Sequence, residues 1–269
     1  MIDERSALAG VFEDTMRQIR DDETLNKAAA DSAAKTVLYR EGEAPALPAA
    51  DPSVQTTVTV LRARTFEAVG RLRKEWPTDR IGVLNFASAT TPGGGVKNGA
   101  RAQEEALCRC STLYPALAQK WLWDDYYQFH RARDARYTDA VIYTPDVRII
   151  KSDTRIPQRL APQDWGITDV LTCAAPNLRN VSVTPAELAV IHERRGRQIL
   201  TVAAAHGVEI LVLGAFGCGA FRNDPKIVAE AYRRLLPAFE GQFRQIVFAV
   251  YCPPHDPRNL EAFEQVFGG

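Results

Sequence analysis

Twice along this chain a short apolar run stops in a glycine-rich loop, and a helical pattern starts directly after it. Ile81–Phe86 (IGVLNF) runs into Pro92-Gly93-Gly94-Gly95, with helical character from about residue 101. Glu209–Leu213 runs into Gly214-Ala215-Phe216-Gly217-Cys218-Gly219, with helical character from Asn223. Apolar runs of this length bounded by turns read as strands buried on both faces, which requires helices above and below the sheet. In open sheets of that kind ligands collect beyond the carboxyl ends of the strands, where both glycine loops would lie.

The rest of the pattern agrees. Strand-like segments at Thr56–Leu61, 140–150, 168–174 and Gln245–Val250 alternate with helix-like ones at Thr65–Trp76, 101–119, Pro185–Ala205, Asn223–Phe239 and Asn259–Val266. Such alternation predicts an α/β fold, a mixed or mostly parallel sheet with helices on both faces. Near the start, Leu8, Val11, Phe12, Thr15, Met16 and Ile19 recur at helical spacing. The proline-containing stretch 40–53 follows. Residues 1–50 are therefore expected to form a helical extension packed on a main domain of residues 51–269.

Charge narrows the partners. Lys plus Arg total 33 and Asp plus Glu total 33. A chain with no basic excess does not suit non-specific coating of nucleic acid, so a polyanion would have to be met by a local site. The five cysteines, at 108, 110, 173, 218 and 252, offer neither a disulfide framework nor a C-x-x-C zinc spacing. No metal and no cofactor is expected. The charged first residues and the absence of a long apolar run predict a cytoplasmic protein without a membrane segment.

The first loop carries the chemistry. Gly93, Gly94 and Gly95 tolerate left-handed backbone and keep no side chain between a ligand and their amides, which could point at an anion or a sugar. Asn85, at the strand end, can donate to and accept from ribose hydroxyls. Glu104 and Glu105 are helix neighbours, so their side chains diverge by about 100° and cannot face each other across a bond. One is expected to be a catalyst, placed where burial raises its pKa, and the other a positioning group. In the second loop the amides of 214–219 could cradle a diphosphate. Phe216 either stacks over a sugar or pins the loop to the core. Cys218 has no histidine in a recognisable partner context, which disfavours a thiol nucleophile.

Together the two loops resemble the bacterial-type poly(ADP-ribose) glycohydrolases, which are macrodomain-fold enzymes. That family carries three glycines, a short spacer and then Gln-Glu-Glu. Here Gly93–Gly95 are followed by seven residues and then Gln103, Glu104 and Glu105. The LNFAS segment at 84–88, the run Leu107-Cys108-Arg109-Cys110-Ser111-Thr112-Leu113-Tyr114 and GAFGCGAF at 214–221 also look familial. The likeness covers roughly residues 35–269.

The resemblance implies hydrolysis of ribose–ribose O-glycosidic bonds in poly(ADP-ribose), releasing ADP-ribose, with the polymer carried on ADP-ribosylated proteins. Glu105 would be the general acid and then the base, and Glu104, with Gln103 beside it, would hold the ribose. Asn85 and the Gly93–Gly95 amides would contact the distal ribose. Gly214, Ala215, Gly217, Cys218 and Gly219 would hold the diphosphate, and Phe216 would lie against the terminal ribose. Thr65, Phe66 and Tyr251 are candidates for the adenine pocket by position. A macrodomain that binds ADP-ribose without cutting it is the rival reading. Another is a hydrolase of mono-ADP-ribosyl groups or O-acetyl-ADP-ribose. The paired glutamates argue against mere binding, because an anionic ligand gains nothing from two carboxylates beside it.

Overall fold

The computed structural model describes residues 3–253 and 255–268. Its seven strands are β1 (Val37–Tyr39), β2 (Thr57–Leu61), β3 (Ile81–Phe86), β4 (Val141–Ile149), β5 (Gly166–Cys173), β6 (Ile210–Leu213) and β7 (Gln245–Ala249). They form one sheet in the order β1-β4-β5-β3-β6-β7-β2. The five strands from β5 to β2 are mutually parallel, and β4 and β1 complete one edge by antiparallel pairing.

Alternation along the strands sorts side chains between two cores, as period-two geometry demands. Leu84, Leu171, Leu211 and Leu213 face one layer, built by α6 (Pro185–Ala205), α7 (Pro225–Leu235) and α8 (Arg258–Phe267). Val83, Val170, Ile210 and Val212 face the other, built by α3 (Thr65–Glu75), α4 (Gln103–Cys110) and α5 (Leu113–Leu117). The mixed α/β sheet with helices on both faces is therefore present.

Three local features depart from the sequence expectation. The single helix expected over 101–119 is broken between α4 and α5, where Ser111 is extended (φ −148°) and bridges to Ile149. Its hydroxyl donates to the Leu107 carbonyl, and the Thr112 amide donates to Arg148, so the sheet edge takes over the backbone groups that the helix gives up. After α5, Lys120–Leu122, Trp123–Gln128 and Phe129–Arg131 make one helical run whose middle turn is the wider π form.

The first 50 residues hold more than a helix. They form α1 (Glu4–Asp21) and α2 (Glu23–Ala34), and they contribute the edge strand β1. Asp3 caps α1 by accepting from the amides of Arg5 and Ser6. The buried Lys151 ammonium clasps this helix, donating to the Val11 carbonyl and the Thr15 hydroxyl and pairing with Asp14.

Candidate active site

A cleft of about 1220 Å³ opens beyond the carboxyl ends of β3, β6 and β7. Both glycine loops line it. Glu104 and Glu105 reach it from the first turn of α4, whose N-terminal dipole favours negative charge.

The first loop and the two glutamates are built on one another. The Gly95 amide donates to Glu105 Oε1 at 2.9 Å, and the Ser88 amide donates to Glu104 Oε2 at 2.7 Å. The Gly93 amide also bears on Glu104. The Gly94 amide is taken by the Thr91 carbonyl. Of the triglycine amides expected to receive a ligand, those of Gly93 and Gly95 therefore bear on the two carboxyl groups instead. Gly94 has φ +56°, and a Cβ there would lie 2.5 Å from Glu105 Oε1 and 3.1 Å from Glu104 Oε2. Only glycine lets the main chain come so close.

The two carboxyl groups are unequal. Glu104 is 2% exposed, and Asn85 Nδ2 lies 3.4 Å from its Oε1. Burial pushes its pKa up to about 8; the Ser88 amide opposes this and the neighbouring Glu105 adds to it. The raised pKa expected of the catalyst thus falls on Glu104, the carboxyl packed deeper in the protein. Glu105 is 7% exposed and lines the cleft, and its Oε2 has no hydrogen-bond partner among the described residues.

A pH effect follows. The folded pKa of Glu104 exceeds the ordinary glutamate value of 4.5, so the folded chain holds that proton more tightly than the unfolded one. Stability from this group should be complete below about 4.5 and fall as pH rises through about 8. Urea unfolding at pH 6 and pH 8.5 should show Glu104→Gln gaining about 1 kcal/mol or more on the wild type at the higher pH. A constant difference between the two proteins would refute this.

Other residues singled out in the sequence separate into cleft walls and supports. Asn85 is fully buried behind Glu104, its Nδ2 also donating to Thr172, and its Oδ1 has no partner among the described residues. Gln103 accepts from the Phe86 amide and donates to the Thr65 hydroxyl and the Leu84 carbonyl. Its side chain is thereby committed to tying β3 to α3 rather than free for a substrate. A Cβ on Gly93 would lie 2.8 Å from the Tyr114 ring, and one on Gly214 would lie 2.5 Å from the Ala249 carbonyl. Thr65, Gly94, Gly95, Ala215, Gly217, Gly219 and Tyr251 line the cleft. The Arg64 guanidinium lies 3.9 Å from the centre of the Tyr251 ring. The Phe66 side chain is in the core, and the Cys218 thiol packs against the opposite core.

Of the two placements open to Phe216 from the sequence, its burial favours the one that pins the loop. It is 1% exposed, with its ring 5.8 Å from that of Phe86 and edge-on to His192 at 5.7 Å. Its ring pins the loop, although part of it borders the cleft. The half-buried aromatic of this loop that lines the cleft is Phe221, overlooked in the sequence because it falls at the loop's end. Asp153 was also overlooked, being a lone acid outside any pattern. It accepts from the Phe66 amide at 3.0 Å, while its buried Oδ1 has no partner among the described residues. Burial raises its pKa, against the pull of the Phe66 amide and Arg64.

Comparison with known proteins places this geometry in a lineage. The family model "Microbial-type PARG, catalytic domain", where PARG stands for poly(ADP-ribose) glycohydrolase, matches residues 13–152. The chain belongs to this family. Among solved structures, the PARG of Thermomonospora curvata is similar to it over 98% of this chain and 100% of that one, at 33% identity and a TM-score of 0.88. The same enzyme bound to the inhibitor ADP-HPD matches over 98% and 100%, at 32% identity and 0.84. The PARG of Deinococcus radiodurans in complex with ADP-ribose matches over 89% of this chain and 96% of that one, at 35% identity and 0.76. None of the curated proteins searched matches the chain.

Proposed function

We infer that the chain is a poly(ADP-ribose) glycohydrolase, cleaving the O-glycosidic bond between riboses and releasing ADP-ribose. The observation that carries the catalytic assignment is Glu105: one oxygen is held by the Gly95 amide, and the other, in this cleft-lining residue, has no partner among the described residues. Such a carboxyl has a fixed direction and one free position for a proton. Departure of the ribose hydroxyl passes through an oxocarbenium-like state and needs that proton. Protonated Glu105 gives it to the leaving oxygen. The resulting carboxylate then takes a proton from the water that attacks the anomeric carbon, which restores the acid. Glu104, behind it, holds the sugar.

The second loop supports the diphosphate. The Phe216 and Cys218 amides are taken by the carbonyls of Gly214 and Ala215. Among the described residues, those of Ala215, Gly217 and Gly219 remain for an anion, as at other small-residue loops before helices. Phe221 offers the ring for the terminal ribose, a role assigned from the sequence to Phe216. Asp153 faces the adenine, whose exocyclic amine is a donor suited to its free Oδ1. Asp153→Ala should weaken ADP-ribose binding about tenfold, the loss of one charge-assisted hydrogen bond; calorimetry showing unchanged affinity would move the adenine elsewhere.

No described helix is long and apolar enough to cross a membrane, and the five cysteines are free thiols. A reducing compartment, the cytoplasm, suits them. The reaction is tested by incubation with purified polymer and chromatography of the products. ADP-ribose should accumulate, and polymer surviving intact would overturn the assignment.

A further inference from the structure

Across the first glycine loop from the cleft lies a second cavity, of about 750 Å³. Thr91, Gly94 and Asn98 belong to the walls of both. The partition between them is thus the stretch of main chain where a Cβ on Gly94 would press on Glu105 Oε1. Whatever is bonded to a sugar beside Glu105, and crosses that bare backbone, enters the second cavity.

Its lining is unlike the rest of a chain whose net charge is zero. Lys97, Lys120 and Arg131 face it with one carboxylate, Asp124, which Lys120 pairs. Among the described residues neither Lys97 nor Arg131 has a carboxylate partner. The Lys97 ammonium lies 5.5 Å from the centre of the Tyr114 ring, and the Arg131 guanidinium lies 4.7 Å from that of Trp123. Both rings are half-buried. Lys120, Trp123, Asp124 and Arg131 all come from the helical run with the π-form middle turn, a local irregularity that often marks functional sites. Cations set beside half-buried rings suit a ligand of alternating phosphates and bases.

We propose that this cavity is a subsite for the polymer unit on the leaving-group side of the scissile bond. The base of that unit stacks on Trp123 or Tyr114, and Lys97, Lys120 and Arg131 meet its diphosphate. The assignment rests on the glycohydrolase reading. It accounts for how a chain without overall positive charge holds a polyanion, since the attraction is concentrated beside the bond to be cut.

The test is the charge-reversed variant Lys97→Glu with Lys120→Glu, both side chains being exposed and outside the core. Each exposed charge contact contributes modestly, so reversing two should raise KM for polymer about tenfold. Both kcat and calorimetric affinity for ADP-ribose should stay within about twofold, and Lys97→Arg with Lys120→Arg should recover the wild-type KM. Polymer KM within about twofold of wild type in the reversed variant would overturn the subsite. So would a parallel loss of ADP-ribose affinity, which would place the effect in the loop that holds the first unit. Absence of turnover by the wild-type protein would instead refute the glycohydrolase reading on which the subsite depends.

Discussion

Glu105→Gln is expected to lower turnover of polymer about a thousandfold while leaving ADP-ribose affinity within a few-fold, a loss of the size general acid catalysis supplies. The geometry makes this substitution unusually clean. The Gly95 N–H donates to Oε1, so a glutamine must turn its amide oxygen toward that donor. Its NH2 group then occupies the place of Oε2, at the cleft. Shape and hydrogen-bonding reach survive, and the transferable proton is gone. Product release at saturating polymer is the measurement. A rate within tenfold of wild type would remove Glu105 from the mechanism and turn attention to Glu104, whose pKa burial raises.

The second large effect is on stability. Phe216→Ala should cost about 3–5 kcal/mol, the range for emptying a buried aromatic site. The ring is wedged between Phe86, at the end of β3, and His192, on α6, so its loss detaches the second loop from the core on that face of the sheet. Denaturant midpoints should shift far to lower concentration, and ADP-ribose binding should weaken with them. An unchanged midpoint accompanied by a lower kcat would show instead that the ring acts directly on the sugar.

Phe216 also shows where reading the sequence runs out. Within Gly214-Ala215-Phe216-Gly217 it looks like a lone ring on a small-residue crown, free to meet a ligand. What buries it are side chains more than twenty positions earlier in the chain. The strands were legible because burial on both faces leaves a continuous apolar run, and β3 occupies Ile81–Phe86, as that run predicts. The two glycine loops and the adjacent glutamates were legible as types. Which anion the glycine amides serve was not, since that depends on how closely α4 folds back on the loop. Ser111 gives no local sign of breaking a helix, because its extended backbone is fixed by pairing with Ile149. Asp153 becomes visible only when the start of α3 is brought against it.

The close fit between the triglycine loop and the two glutamates bears on how such a site can change by descent. A side chain at Gly94 displaces Glu105 even if the acid itself is untouched, and a residue at 105 without an acceptor oxygen leaves the Gly95 donor aimed at nothing. Substitutions at the two places are therefore epistatic: the effect of each depends on the state of the other. Along a mutational path, loop and acid have to be altered in concert unless the new residue keeps the acceptor that the Gly95 amide meets. A lineage that abandoned hydrolysis while retaining ADP-ribose recognition would have the acid as its one inexpensive step, by exchange for an amide, because that leaves the loop's geometry in place.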